Sequence, residues 1–245
     1  MPILLVYVDL FVYFMKVSVI MPTFNRLNLL KRAIKSFEAQ DYIDAELIIL
    51  DNGCTDGSSQ FLANLSNPNI KLISNTTNNP KGSLNKLWLY SEADLICQLH
   101  DDDELTKSSI TDRVELFKRN KFVEVVYGGW INQKIDKTVL GTFKAQAPNP
   151  CRMLQNEYIN FTTMMWKNSI KDRFMFDEEM EFQIDSLFKI RCGMETSMSC
   201  VENPVMLYTI HQAQATYKMR ATGMLEVENK MLRTKINNLY KGLFL

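Results

Sequence analysis

Histidine is almost missing from this chain of 245 residues, in which only His100 and His211 carry an imidazole. No two of the five cysteines stand in Cys-x-x-Cys spacing, so a structural zinc site built from Cys and His has no ligand set here. Cys54, Cys97, Cys151, Cys192 and Cys200 are odd in number and scattered, which reads as free thiols in a reducing compartment. Neither sign of charge is in excess, with 28 basic and 28 acidic residues, and no Lys/Arg stripe offers a nucleic acid a surface. Gly-x-Gly-x-x-Gly is missing, which removes a dinucleotide cofactor, and so is the P-loop order of Gly, Lys and Ser/Thr. No apolar run reaches the roughly 20 residues that cross a bilayer. Pro2 to Met15 is apolar but interrupted by Asp9, and it lacks the basic start and small-residue cleavage site of a secretory signal. Residues 1–15 therefore read as an N-terminal extension, with a membrane-surface anchor as its functional alternative. Met15, directly before a clean strand, is a candidate natural start.

What remains is an ordinary globular composition, 46% hydrophobic and 23% charged, long enough to bury a core without staples. Strand and helix signals alternate through the first 110 residues. Lys16 to Met21, Glu46 to Leu50, Ile70 to Ile73 and Asp94 to Leu99 are short apolar runs that read as buried strands. Between them, Leu27, Leu30, Ile34 and Phe37 have helical spacing, Phe61 and Leu65 mark a short helix, and Leu84, Leu87 and Trp88 begin another. Alternation of this kind predicts an α/β fold with right-handed crossovers and a mostly parallel central sheet flanked by helices. The second half is less regular. It predicts a helix from Ser108 to Lys118, strands at Val123–Tyr127, Phe161–Trp166 and Val205–Ile210, a hairpin over Trp130–Phe143, and a helix at Asp185–Cys192. From Tyr217 onward, Leu225, Leu232, Ile236, Leu239 and Leu243 form one stripe of an amphipathic helix, suited to packing on its own domain, to a dimer contact or to a membrane surface. The whole reads as one continuous domain with 16–110, 111–216 and 217–245 as successive parts.

Three polar clusters end predicted strands: Pro22, Thr23, Phe24 and Asn25; then Asp51, Asn52 and Gly53; then Asp101, Asp102 and Asp103. In open α/β sheets that carboxyl edge is where ligands bind. Adjacent carboxylates repel, and a divalent cation offsets that repulsion; oxygen-only ligands favour Mg²⁺ or Mn²⁺. The alternative is a solvated turn ahead of the next helix. Asp51 can accept from a base N–H or a ribose hydroxyl, or simply shape a turn with Asn52 and Gly53. Lys81, Gly82 and Ser83 can bring a cation and backbone N–H groups near a phosphate.

These motifs, in this order, resemble those of the family 2 glycosyltransferases, whose fold is GT-A. The first strand runs into Pro22-Thr23-Phe24-Asn25. The second ends in Asp51-Asn52-Gly53-Cys54-Thr55-Asp56, with Cys54 in place of the usual Ser. Asn79, Gly82 and Asn85 loosely match the loop motif, and the acidic motif reads Leu99-His100-Asp101-Asp102-Asp103, with His100 where the family often has Asp. The resemblance implies that Thr23, Asn25 and Asp51 contact the nucleoside, usually uridine, beside Pro22, Asn52 and Asn85, with Lys81 near it or the diphosphate. It implies that Asp103 ligates the metal, that Asp101 is the other arm of an Asp-x-Asp pair, that Asp102 contacts ribose or metal, and that His211 lies near the diphosphate or metal. His100 then reads as a packed histidine. In the second half Ile184, Asp185 and Arg191 fit the family's Glu-Asp with Arg six residues on, which makes Asp185 the candidate base, with Glu178, Glu179 and Glu181 as substitutes.

The implied activity is inverting transfer of a sugar from a nucleotide sugar, usually a UDP-sugar, to a hydroxyl of a glycan or lipid-linked acceptor. Mn²⁺ or Mg²⁺ would assist, in the cytoplasm or at the cytoplasmic face of a membrane. Two other readings stay open. One is a sugar-phosphate nucleotidyltransferase, against which stands the lack of a Gly-rich, basic first loop. The other is a non-catalytic glycan-binding protein, which the Ile184 and His100 departures keep alive.

Overall fold

The computed structural model describes residues 15–154, 159–180, 183–214, 217, 219–220 and 222–241. The N-terminal extension before Met15, Glu181 and Leu243 lie outside them. The chain begins with β1 (Val17–Thr23), α1 (Leu27–Glu38), β2 (Ala45–Asp51), α2 (Ser58–Ala63), β3 (Ile70–Ser74), α3 (Pro80–Tyr90) and β4 (Leu95–Gln98). β3, β2, β1 and β4 lie side by side and parallel, with Thr23 opposite Asp51 and Ile20 opposite Gln98. Every residue of β2 and β4 is buried, as helices on both faces of a parallel sheet require. Alternation divides the strands between two cores. Val19, Met21, Leu47, Ile49 and Cys97 face Leu30, Ile34 and Phe37 of α1. Ile20, Ile48, Leu50 and Ile96 face an aromatic core of Trp88, Phe161, Trp166, Phe176 and Phe188.

Beyond β4 the chain continues through β5 (Glu104–Leu105), α4 (Ser109–Arg119), β6 (Val125–Lys134), β7 (Val139–Phe143), α5 (Pro150–Leu154), β8 (Met165–Lys167), α6 (Ile184–Glu195), β9 (Met198–Ile210) and α7 (Met224–Leu239). Here the sheet becomes mixed: β8 runs antiparallel to β4 and β6, β9 runs parallel to β6, and β5 runs antiparallel to β9. Several expected bounds change. The strand at Val123–Tyr127 and the first arm of the hairpin are one strand, β6, because Gly129 pairs with Pro204 of β9 and Gly128 is taken up in a register shift instead of ending the strand. Phe161–Thr163 is a 3₁₀ turn ahead of the short β8, since Asn160 caps it through the Thr162 N–H. β9 is seven residues longer at its start than Val205–Ile210, and α3 starts at Pro80, whose fixed φ suits a first helical position. On α7 the buried side chains are Glu228, Leu232 and Ile236, while Leu239 is exposed.

Candidate active site

The parallel register sets the site. Because β1 lies between β2 and β4, Thr23, Asp51 and the residues after Gln98 leave the sheet at one edge. Leu99 N–H still donates to Ile20 C=O, and the chain then turns so that Asp103 N–H donates to His100 C=O. All three aspartates are buried, at 4%, 8% and 1% exposure. Three carboxylates withdrawn from water need compensation, and they find unequal sets of partners, with Arg26 shared by Asp101 and Asp102.

Asp101 is taken up by the β1 end. Its Oδ2 accepts from Thr23 Oγ1 at 2.8 Å and from the Phe24 N–H at 3.3 Å, and its Oδ1 meets Arg26 Nη1 at 2.8 Å. Arg26 Nη1 also meets Asp102 Oδ2 at 2.8 Å, and Nη2 donates to the Ala213 carbonyl. Burial works against charge on Arg26, but Asp101, Asp102 and Asp103 outweigh it and hold the guanidinium above its ordinary value. Asp102 Oδ2 is shared with His211 Nε2 at 3.1 Å. Burial would raise Asp102; His211, Arg26 and His100 together draw it below the usual carboxylate value. Asp103 is the least satisfied. Its Oδ1 accepts the Thr209 N–H of β9 at 2.9 Å, while the buried Oδ2 has no hydrogen-bond partner among the described residues. His100 Nδ1 stands 3.5 Å from it, an ion-pair distance too long for a good hydrogen bond. Burial, with Asp102 beside it, pushes the Asp103 carboxyl up to about 6 against the opposing pull of His100 and Thr209. Burial would lower His100, but Asp103, Asp102 and Asp185 lift it to about 8.

One ligand atom each from His100, Asp102 and Asp103 lie within 4.8 Å of one another. An unpaired buried carboxylate oxygen facing an imidazole and a second carboxylate fits a divalent cation better than it fits the protein alone. Of the metal residues expected from the sequence, Asp103 stands in this group, Asp101 is bonded to Arg26 and Thr23, and His211 shares a hydrogen bond with Asp102. His100, read as packed, has a side chain 40% exposed and joins the group.

The residues expected to meet the nucleoside make polar contacts of their own. Asp51 Oδ1 accepts the Cys54 N–H and Oδ2 accepts Ser59 Oγ at 2.5 Å; burial raises its carboxyl, and these bonds bring it below its ordinary value. Asn25 adopts φ +53°, a left-handed conformation Asn tolerates, and its Oδ1 receives the Thr55 N–H. Asn52 is bound to Ser83 and Asn75. Asn85 is spent on structure: it donates to Phe176 C=O and Glu178 Oε1 and accepts the Phe176 N–H. Pro22 is half-buried in β1, and Lys81 is exposed as the second residue of α3.

On the far side Asp185 lies in the first turn of α6, with Lys189 Nζ 3.8 Å from its carboxylate, and its charge is felt at His100. Arg191, matched by spacing, pairs instead with Glu195 and stacks 4.1 Å over Phe174. Arg26 escaped sequence reading, although it follows the Pro-Thr-Phe-Asn run directly and so had to stand at the same sheet edge as the aspartates.

Comparison with known proteins agrees with this fold. A structure of S. aureus TarS in complex with UDP-GlcNAc is similar in fold, with a TM-score of 0.70 at 21% identity over 82% of this chain and 60% of that one. So is the mannosyltransferase PcManGT from Pyrobaculum calidifontis in complex with GDP-Man and Mn²⁺, with a TM-score of 0.63 at 15% identity over 86% and 61%. In sequence the chain is 32% identical over 123 residues to the GalNAc(5)-diNAcBac-PP-undecaprenol beta-1,3-glucosyltransferase of Campylobacter jejuni, over 49% of this chain and 39% of that protein. The matches span 35–40% of the length of the first curated relatives. The sequence model described as glycosyl transferase family 2 matches residues 18–178, from the first residues of β1 to the segment clasped by Asn85, and the chain belongs to that family.

Proposed function

We propose that the protein transfers a sugar from a nucleotide sugar, a UDP-sugar first among them, to a hydroxyl of a glycan or lipid-linked acceptor, with inversion. The observation that carries this is the buried, unpaired Asp103 oxygen at the sheet edge where β1 and β2 also end. Residues 16–110 form the donor half, 111–216 the acceptor half, and 217–245 a C-terminal helical part. Asp103, Asp102 and His100 would hold Mn²⁺ or Mg²⁺. A cation there supplies positive charge for the departing nucleoside diphosphate. Thr23, Asn25 and Asp51 meet the nucleoside, each oxygen keeping a lone pair beyond its present bond. Arg26 fixes Asp101 and Asp102 and favours their charged forms, although burial and the neighbouring Asp102 leave the Asp101 carboxyl above its ordinary value. Asp185 accepts the proton of the attacking hydroxyl.

A lipid-linked acceptor is suggested by the undecaprenol named for the Campylobacter relative. Such an acceptor would be met at the cytoplasmic face of a membrane; among the described residues no helix is long and apolar enough to cross one. A panel of UDP-, GDP- and dTDP-sugars with Mn²⁺, read by thermal shift and by nucleoside diphosphate release, tests the reading. One nucleotide sugar should stabilise the protein and turn over. Asp103→Ala and Asp185→Ala should each cut turnover by orders of magnitude, and near-parental rates in both would sink it.

A further inference from the structure

The helix that carries Asp185 is fastened by a helix lying beyond the family match. Gln183, the N-cap of α6, makes no capping hydrogen bond with its own side chain. Its backbone N–H donates to Oε2 of Glu228 at 2.8 Å, and its Nε2 donates to Asn229 Oδ1 at 2.6 Å. Both acceptors belong to α7. Glu228 is 3% exposed and shares the buried stripe of α7 with Leu232 and Ile236. A carboxylate on such a stripe is costly unless a donor meets it. Here it takes an N–H at the positive end of α6, as the Glu of a capping box does, except that it comes from another helix. The approach to Gln183 is fastened as well. Lys235 of α7 reaches Asp177 at 2.7 Å and Glu179 at 2.6 Å, and Asn85 of α3 clasps Phe176 and Glu178. The segment is thus tied at intervals from Phe176 to Gln183, two residues before Asp185.

We infer that Glu228 is a positioning residue: through Gln183, α7 fixes the first turn of α6 so that Asp185 faces the acidic cluster. This rests on Asp185 being the base. Misplacing a catalytic group by about 1 Å can cost on the order of 100-fold in rate. Glu228→Ala should therefore lower kcat for the UDP-hexose selected by the panel by roughly 10- to 100-fold. The Kd for UDP with Mn²⁺, measured by calorimetry, should stay within about twofold of the parent. Glu228→Gln, which keeps an acceptor oxygen, should recover most of the rate. In an Asp185→Asn background Glu228→Ala should cost nothing further, since residues acting through one group are not additive. Parental kcat in Glu228→Ala, an undiminished further loss in the Asp185→Asn background, or a fall in UDP affinity matching the fall in kcat would each overturn the inference. Should Glu228→Ala not fold, Asn229→Ala at its exposed position is read in the same way. If Asp185→Asn itself turns over normally, the assignment of the base has failed; if only Glu228→Ala does, the base stands and the strap falls.

Discussion

Arg26 is the residue on which the acidic cluster depends while no other cation is bound. It stands 2.8 Å from both Asp101 and Asp102, each nearly out of water. Removing one partner of a buried pair leaves the other charge uncompensated, at a cost of about 3–5 kcal/mol. Arg26→Ala should lose stability toward the lower end of that range, because the arginine side chain is 24% exposed. Urea denaturation should show the loss shrinking with saturating Mn²⁺, since a divalent ion offsets the same repulsion; an equal loss with and without metal would count against a cation site here. His100 gives a second prediction. It offers a nitrogen where an aspartate would offer oxygen, and imidazole favours later transition ions over Mg²⁺. His100→Asp should lower the ratio of Mn²⁺ to Mg²⁺ affinity by roughly tenfold, about 1.4 kcal/mol, in calorimetric titrations of the sugar-free protein. These two residues also mark how far the sequence could be read. The aspartates were visible as a repulsion requiring a cation. That an arginine 75 positions earlier reaches Asp101 depends on the β1–β4 register, and that His100 turns toward Asp103 depends on the tight turn closed by the Asp103 N–H on the His100 carbonyl.

At the scale of elements, β6 turns on its glycines. Gly128 and Gly129 lie where the register of β6 against β9 shifts. A Cβ at Gly129 would come 2.3 Å from the Phe143 carbonyl oxygen, and one at Gly128 2.6 Å from a Val205 methyl. The first obstacle is backbone and cannot rotate away. Gly129→Ala should therefore push β7 off β6, separate the stacked Trp130 and Phe143 rings, now 4.8 Å apart, and cost roughly 1–3 kcal/mol. Chemical denaturation and the Trp130 fluorescence would follow it, and a change below about 0.5 kcal/mol would mean the hairpin adapts. This is where element prediction stopped. Paired glycines in a strand pattern read as a break, whereas here they permit close approach of two neighbours. β1, β2 and β4 were legible because a strand covered on both faces is a plain apolar run. β5, two residues long, carries too few side chains for any period to register, and β8 holds only the end of the strand expected at Phe161–Trp166, whose first residues form a 3₁₀ turn.

For the whole molecule, the cluster ties stability to pH and metal together. His100 is lifted to about 8 in the fold, so its contribution is fully present below its ordinary value near 6.5 and is lost as pH rises through 8. Asp103, lifted to about 6, likewise contributes below its ordinary value and loses that contribution as pH rises through 6. Both weaken the metal-free fold in the same direction. The carboxyls held low, among them Asp51, Glu46 and Glu104, act only in acid, losing their contribution as pH falls below their ordinary values near 4. Between pH 5.5 and 8.5 the metal-free melting temperature should thus decline on account of the cluster. A metal needs the same groups deprotonated, so its affinity should rise over that interval. The gap between melting curves with and without Mn²⁺ should widen with pH. Where free Mn²⁺ stands at about 100 times its dissociation constant, the ion adds roughly 2.7 kcal/mol, or about 5–10 °C for a chain of this length. Asp103→Asn removes one ionisable ligand and should flatten the dependence. A gap that stays constant with pH, or persists undiminished in Asp103→Asn, would place the bound ion somewhere other than beside the unpaired oxygen of Asp103.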